Sequence, residues 1–317
     1  MTDSVSVVFG AGGGTGRSIV TELVRLRRNV RAVYHHRPEH LPTGVEAIEA
    51  SAADEQGVRA ATLNASVVYH AVNVPYQRWV QDLPGITGNL AAAAEAAGAR
   101  FVYADNLYCY GDTGGAPMSE TTPQAPSGVK GRLRKRLADE LLNAHVGGRL
   151  AVVIARSADY YGPGGVNTFA GDRVFGAVVK GKSPSFLGLP GTPHTYSYLE
   201  DIGRAMVLLA DRDAALGAVW HLPHADPLTG EAFSALISEA IGRPVRASYT
   251  PRLLLALAGA FVPLVREVKE QEYQFTHPYL VDSTKFERAF GPFQVTPHRE
   301  AIARTLEWFR SRERGAG

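Results

Sequence analysis

The stretch that decides the fold is VSVVFGAGGGTG, residues 5–16. Its β-branched and aromatic first half predicts a strand, and the apolar spacing of residues 17–28 predicts a helix directly after the glycines. Glycines let the backbone turn tightly and approach a phosphate, while a helix N-terminus offers free N–H groups and a positive dipole. The glycines follow the spacing G-x-x-G-x-x-G, and a dinucleotide pyrophosphate is expected at Gly10, Gly13, Gly14, Thr15 and Gly16.

Composition excludes several classes of protein. The 317 residues are 45% hydrophobic and 20% charged, which is typical of a globular chain. A net charge of +2 gives no footprint for nucleic acid, and the single cysteine, Cys109, excludes an internal disulfide. The apolar run 253–265 is shorter than the roughly 20 residues that span a membrane, and no secretory signal opens the sequence. We expect a cytoplasmic protein that binds neither nucleic acid nor membrane.

The first half of the chain alternates between strand-like and helix-like patterns, which predicts an α/β fold with a doubly wound parallel sheet. Strands are predicted at 5–9, 30–34, 47–50, 66–72, 100–104 and 150–155, and helices at 17–28, 54–63, 89–97 and 130–145. After residue 155, short strands are predicted at 194–199 and 219–222, and helices at 230–241, 251–262, 266–274 and 297–312. Residues 1–155 would form the nucleotide-binding domain, completed by elements near 194–224. Most of 156–317 would form a smaller substrate-binding part.

Further motifs make the sequence resemble a known family. The stretches RFVYADNLYCYG (100–111), ARSADYYGPG (155–164) and YLEDI (198–202) are similar to motifs of the extended short-chain dehydrogenases/reductases, in their epimerase/dehydratase-like branch. The resemblance runs from residue 5 to about residue 312. It implies a Rossmann fold, a nicotinamide cofactor and a homodimer. It also implies that the end of the fourth strand, with Val72 and Asn73, lies beside the cofactor.

The end of the second strand predicts which nicotinamide cofactor is bound. An acidic residue there hydrogen-bonds a ribose 2′-OH, whereas a cation accommodates a 2′-phosphate. This sequence has His35, His36 and Arg37, with no acidic residue before Glu39. A guanidinium can grip a phosphate bidentately. We therefore expect NADP(H) to be preferred over NAD(H).

The catalytic positions depart from the family pattern of Ser, Tyr and Lys, in which a cation lowers the pKa of the tyrosine. One alignment places Lys130 and Arg134 at the Tyr and Lys positions, and another places Gly131 and Lys135 there. Asn106 stands at the serine position. We predict that Lys130 serves as proton donor or electrostatic anchor beside Arg134, and that Asn106 orients a carbonyl. Tyr108, Tyr76 and Tyr160 are the alternative candidates for the acid. Whether Lys130 or Lys135 faces the nicotinamide stays open.

The substrate is expected over the carboxyl ends of the strands. Side chains predicted to contact it are Tyr76, Tyr108, Asp159, Tyr160 and His194. The histidines show no metal-ligand spacing, so no metal site is predicted. The favoured function is an NADP(H)-dependent oxidoreductase that reduces a carbonyl, or oxidises an alcohol, of a small metabolite at a non-standard site. The alternatives are a catalytically silent NADP(H)-binding regulator and a sugar-nucleotide epimerase or dehydratase.

Overall fold

The glycine-bearing strand lies inside a seven-stranded parallel sheet. The computed structural model describes residues 4–38, 41, 43–250 and 269–315. The strands of this sheet are β1 (Val5–Phe9), β2 (Asn29–Tyr34), β3 (Val45–Glu49), β4 (Ala65–His70), β5 (Arg100–Asp105), β6 (Ala151–Arg156) and β10 (Ala218–His221). Their order across the sheet is β10-β6-β5-β4-β1-β2-β3, and every neighbouring pair is parallel. The order reverses beside β1, which is the switch point where open α/β sheets bind ligands. The expected fold class is confirmed.

Helices cover both faces of the sheet. The described helices are α1 (Gly14–Arg25), α2 (Glu55–Thr62), α3 (Trp79–Ala97), α4 (Val129–Val146), α5 (Ala177–Val179), α6 (Leu199–Ala210), α7 (Gly230–Ile241), α8 (Tyr273–Thr276), α9 (Thr284–Phe290) and α10 (His298–Gly315). Alternate residues of β1 point to opposite faces, so that Val8 packs with α1 and α6, while Val7 packs with α2, α3 and α4. The α1 and α6 backbones approach so closely that a Cβ on Gly203 would lie 2.5 Å from the carbonyl carbon of Ser18.

The part of the chain after β6 forms a second core. Two short parallel pairs occur here, β7 (Asp159–Tyr161) with β9 (Tyr196–Tyr198), and β8 (Ser185–Phe186) with β11 (Ser248–Tyr249). An aromatic cluster fills the core against α7 and α10; its members include Tyr161, Phe175, Phe233 and Phe309. No helix within the described ranges is long and apolar enough to cross a membrane. The division into 1–155 and 156–317 stays a prediction.

One predicted helix was too short, because α3 begins at Trp79 rather than near residue 89. Pro84 lies inside this helix, where proline is locally unfavourable. Trp79 and Leu83 are buried against α4, so packing overrides the local preference. The predicted helix 251–262 and the first three residues of the predicted helix 266–274 lie outside the described residues. Of the latter, the structure shows a 3₁₀ turn at Lys269–Gln271 and then α8.

Candidate nucleotide and substrate site

The glycine turn is shaped by backbone atoms that leave no room for side chains. Gly10 has φ +81°, and a Cβ placed on it would lie 2.5 Å from the carbonyl oxygen of Ala71. A Cβ on Gly16 would lie 2.1 Å from the carbonyl oxygen of Gly10. Helix α1 starts directly after Gly13, and no side chain caps its N-terminal N–H groups. The turn therefore fits a pyrophosphate, which needs close backbone approach and uncapped donors.

The segment after β7 and the start of α6 pack onto this turn. A Cβ on Gly14 would lie 2.7 Å from Leu199, and Gly164 packs against the Gly14 backbone. The half-buried Tyr160 forms a side-chain hydrogen bond with Thr15, and burial raises the pKa of its phenol. Two residues expected to bind different molecules are thus in contact, which joins the predicted nucleotide and substrate positions into one site.

The side chains after β2 present positive charge and imidazole groups to solvent. His35, His36 and Arg37 are exposed, and the two imidazole centroids are 4.4 Å apart. The backbone N–H of Arg37 donates to the Glu49 carboxylate at 3.2 Å. Sequence reasoning missed Glu49, because it comes from the end of β3. It also missed Arg17. Burial raises the pKa of Tyr34, and the positive charge of Arg17 lowers it by a smaller amount.

The end of β4 lies against the glycine turn, since a Cβ on Gly10 would lie 2.8 Å from the backbone nitrogen of Val72. Val72 is half-buried and its N–H donates to Nδ1 of His70 at 3.3 Å, while Asn73 is exposed. His70 also contacts the Thr87 hydroxyl at 3.0 Å. Burial, with a further contribution from the positive Arg134, lowers the pKa of His70 to about 3. His70 is therefore a neutral ring that supports the β4 end.

Lys130 and Arg134, which the first alignment places at the Tyr and Lys positions, both lie on the buried face of α4. The Lys130 ammonium lies 3.9 Å from the centre of the Tyr76 ring. Arg134 donates to the Tyr103 hydroxyl at 2.7 Å. Lys135 instead pairs with Asp139 at 2.6 Å near the surface.

Gly131, the alternative to Lys130, has no space for a side chain. A Cβ there would lie 2.5 Å from the Tyr108 carbonyl oxygen. The structure thus brings Lys130 and Arg134 together, and keeps Lys135 apart from them.

The loop after β5 carries the predicted carbonyl-orienting amide. The Asn106 side-chain oxygen accepts from the backbone N–H of Tyr108 at 3.2 Å, which directs its Nδ2 group away from that turn. Tyr108 is buried, with its ring stacked on Trp79 at 6.0 Å between centroids. Burial raises the pKa of Tyr108 well above that of an ordinary phenol. Tyr108 therefore forms an apolar wall rather than an acid.

A buried polar chain holds this loop in place, and sequence reasoning missed it. Arg156 donates through Nε to Asp105 at 2.9 Å and through Nη1 to the Tyr110 hydroxyl at 2.9 Å. Tyr110 in turn contacts Nε2 of His221 at 2.7 Å. Asp105 also lies 3.7 Å from Arg134.

Asp159 and His194, predicted separately, form a pair. Nε2 of His194 lies 2.9 Å from Oδ2 of Asp159. Nδ1 of the same ring lies 3.2 Å from the carbonyl oxygen of Gln274, which sequence reasoning missed. No group of three or more His, Cys, Asp or Glu side chains within the described ranges is placed to hold a metal ion.

Comparisons with known proteins agree with this geometry. Residues 10–159 match a family model described as NAD(P)H-binding. MoeE5, solved in complex with UDP-glucuronic acid and NAD, is 24% identical with a TM-score of 0.77 over 98% of this chain and 99% of that chain. UDP-glucuronic acid 4-epimerase from Bacillus cereus, solved with UDP-glucuronic acid and NAD, is 14% identical with a TM-score of 0.77 over 97% and 99%. A comparison with curated proteins found no match.

WbmH from Bordetella bronchiseptica, solved in complex with NAD+, is 20% identical with a TM-score of 0.74 over 98% of this chain and 99% of that chain. The family match covers the glycine turn, β4, β5 and β6, and the structural likeness extends through the C-terminal part. Together they confirm the resemblance inferred from the motifs, and they support a site for a nicotinamide cofactor.

Proposed function

We propose that this chain, which shares the fold of the extended short-chain dehydrogenases/reductases, is an NADP(H)-dependent oxidoreductase acting on the carbonyl or alcohol of a small metabolite. The observation that carries the proposal is the glycine turn, where the contacts at Gly10 and Gly16 admit no side chain and α1 presents uncapped N–H groups. When bound, the nicotinamide supplies or accepts a hydride. We assign the cofactor to residues 1–155 and the substrate mainly to 156–317.

The buried cations suit the charge that develops on a substrate oxygen during reduction. Lys130, Arg134 and Arg156 are each more than nine-tenths buried, and Asp105 is the carboxylate that lies between the two guanidiniums. The two guanidiniums share this one carboxylate, so these three groups carry a net positive charge at the carboxyl end of β5. Preorganised charge in a buried site stabilises a developing alkoxide strongly. Asn106 would donate from Nδ2 to the same oxygen.

The cofactor preference is tested by equilibrium binding. We expect NADPH to bind at least tenfold more tightly than NADH, because Arg37 and its two neighbouring imidazoles are exposed at the end of β2. Arg37→Ala should remove that preference. Arg59→Ala is the matched control, because Arg59 is an exposed arginine in an i,i+4 pair with Glu55. Tighter binding of NADH by the parent would contradict the preference.

Turnover is tested by NADPH oxidation against a panel of aldehydes and ketones, comparing Lys130→Met with Lys135→Met. Loss of turnover only in Lys130→Met supports the role given to Lys130. Loss only in Lys135→Met selects the other alignment. A parent that binds NADPH and reduces no member of the panel supports the silent, regulatory alternative.

A second candidate is chemistry on a sugar nucleotide. It is favoured by the solved proteins that hold UDP-glucuronic acid or UDP-glucose and match this chain over 98% of its length. No tyrosine stands on the buried face of α4, which counts against it, because the family's chemistry at the sugar uses that residue. Including UDP-glucose and UDP-glucuronic acid in the panel separates the two candidates.

A further inference from the structure

In the Asp159–His194 pair, two stacked aromatic rings fix the plane of the imidazole. The His194 ring is 5% exposed and stacks on Phe275 at 5.6 Å with an interplanar angle of 3°. Tyr279 stacks at 4.8 Å and 23°. Each ring nitrogen meets an oxygen, Nδ1 the Gln274 carbonyl and Nε2 the Asp159 carboxylate. The stacked neighbours therefore fix which atoms the ring faces.

With Asp159 ionised, these contacts hold one proton more than a neutral imidazole carries. A neutral ring has one N–H group, and its other nitrogen is an acceptor. A backbone carbonyl oxygen and a carboxylate oxygen are acceptors only. Both hydrogen bonds of His194 form when the ring carries two protons and Asp159 carries a negative charge. The pair therefore stores a transferable proton at the wall of the site.

Asp159 connects this proton to the rest of the site. Burial raises the pKa of Tyr160, Arg134 lowers it and the negative charge of Asp159 raises it, so Asp159 lies near the phenol that hydrogen-bonds Thr15 of the glycine turn. Asp159 also affects Tyr108. Burial is the main cause that raises the pKa of this phenol, and the negative charge of Asp159 raises it further. The same two causes raise the pKa of Tyr279. The tyrosines around Asp159 thus hold their protons tightly and are poor acids.

We infer that the Asp159–His194 pair takes the place of the absent tyrosine and provides the proton that the substrate oxygen needs. This inference rests on the proposed oxidoreductase function. In carbonyl reduction a hydride adds to the carbonyl carbon, its electron pair forms the new C–H bond, and the C=O π electrons move to oxygen. The oxygen takes one proton from the pair through Asp159. A neutral imidazole and a carboxylate remain, and water returns the proton.

Asp159 is accordingly a catalytic residue and His194 a positioning residue that acts through it. Asp159→Asn keeps the size of the side chain but cannot carry the proton. With NADPH and 4-nitrobenzaldehyde as probe, we expect kcat to fall about 10²- to 10⁴-fold, the range typical of a lost general acid, while KM and the Kd for NADPH change less than threefold. Formate should restore turnover to Asp159→Ala, because it replaces the missing carboxyl group.

The matched control is Asp112→Asn, since Asp112 lies 3.7 Å from His277 in a histidine–aspartate pair about half-exposed to solvent. Its kcat should stay within twofold of the parent. An Asp159→Asn variant that retains more than a third of the parent kcat would overturn the inference while leaving the proposed function intact. A parent that binds NADPH but does not reduce the probe contradicts the proposed function, and the inference falls with it.

A second readout needs no turnover. In ¹⁵N spectra of the parent at pH 7, His194 should show two protonated ring nitrogens, and His194→Gln should assign those signals by removing them. Asp159→Asn should convert the ring to a single N–H, because the carboxylate that stabilises the second proton is gone. His194→Gln should lower kcat at unchanged NADPH affinity. A parent ring with one N–H would overturn the inference whatever the activity.

Discussion

The buried imidazole of His221 should make the protein sensitive to mild acid. Its Nδ1 faces the Asp282 carbonyl oxygen at 3.1 Å and therefore carries the ring proton. Its Nε2 accepts from the Tyr110 hydroxyl at 2.7 Å. That hydroxyl oxygen already accepts from Arg156. A second ring proton would leave the Tyr110 O–H without its acceptor and place a cation beside a buried guanidinium.

The size of the effect follows from the pKa. Burial and then the positive charge of Arg156 lower the pKa of His221 from 6.5 to about 3. The unfolded chain binds the proton below pH 6.5 and the folded chain does not, so stability is fully present above pH 6.5 and is lost as the pH falls towards 3. Each pH unit within that window costs about 1.4 kcal/mol. Between pH 6.5 and pH 5, His221 should therefore remove about 2 kcal/mol from the free energy of unfolding.

The measurement is urea unfolding of the parent and His221→Gln at pH 7.5 and pH 5. Glutamine keeps one donor and one acceptor but does not titrate, so the variant should lose about 2 kcal/mol less than the parent over this interval. His277→Gln is the control, because His277 is about half-exposed, and it should follow the parent. Equal losses in His221→Gln and the parent would refute the proton assignment at Tyr110.

Three shorter predictions concern the turn, the thiol and the buried ion pairs. Gly16→Ala should weaken NADPH binding at least tenfold, because its Cβ would lie 2.1 Å from a backbone oxygen, while Gly85→Ala, with open space around it, should not; fluorescence titration compares them. Cys109 is fully buried and burial raises its pKa to about 12, so it should react with a disulfide reagent only on unfolding. Asp105→Asn should lower the free energy of unfolding by about 3–5 kcal/mol, measured in urea, because it leaves two buried guanidiniums without their carboxylate.

The parallel sheet could be predicted because its signals are local. Each central strand is a short apolar run, and the glycine turn follows β1 directly. The start of α3 could not be predicted, since Pro84 and the neighbouring glycines favour a loop locally. What decides it is the burial of Trp79 and Leu83 against α4, a contact between residues about 50 positions apart that no single window of sequence contains.

In the candidate site, too, local features could be predicted from the sequence and features that depend on packing could not. The contacts at Gly10 and Gly16 follow from their spacing, so the turn could be read directly from the sequence. The two alignments of α4 could not be separated, because a shift of one residue changes the face of the helix but not its composition. Burial of Lys130 and the lack of space at Gly131 show which face packs inward.

The absence of a tyrosine on α4 need not mean the absence of acid–base chemistry. A phenol in this fold works only when a cation lowers its pKa, and the cations here are engaged otherwise: Lys130 lies over the Tyr76 ring and Arg134 donates to Tyr103. A carboxylate–imidazolium pair needs no such help, because the ring itself carries the proton that the substrate oxygen takes. With Asp159 and His194 as the proton source, the α4 cations need not lower the pKa of a phenol, and their role is to stabilise charge on the substrate oxygen. The two changes from the family pattern are then parts of one rearranged site, and the activity of Asp159→Asn tests both.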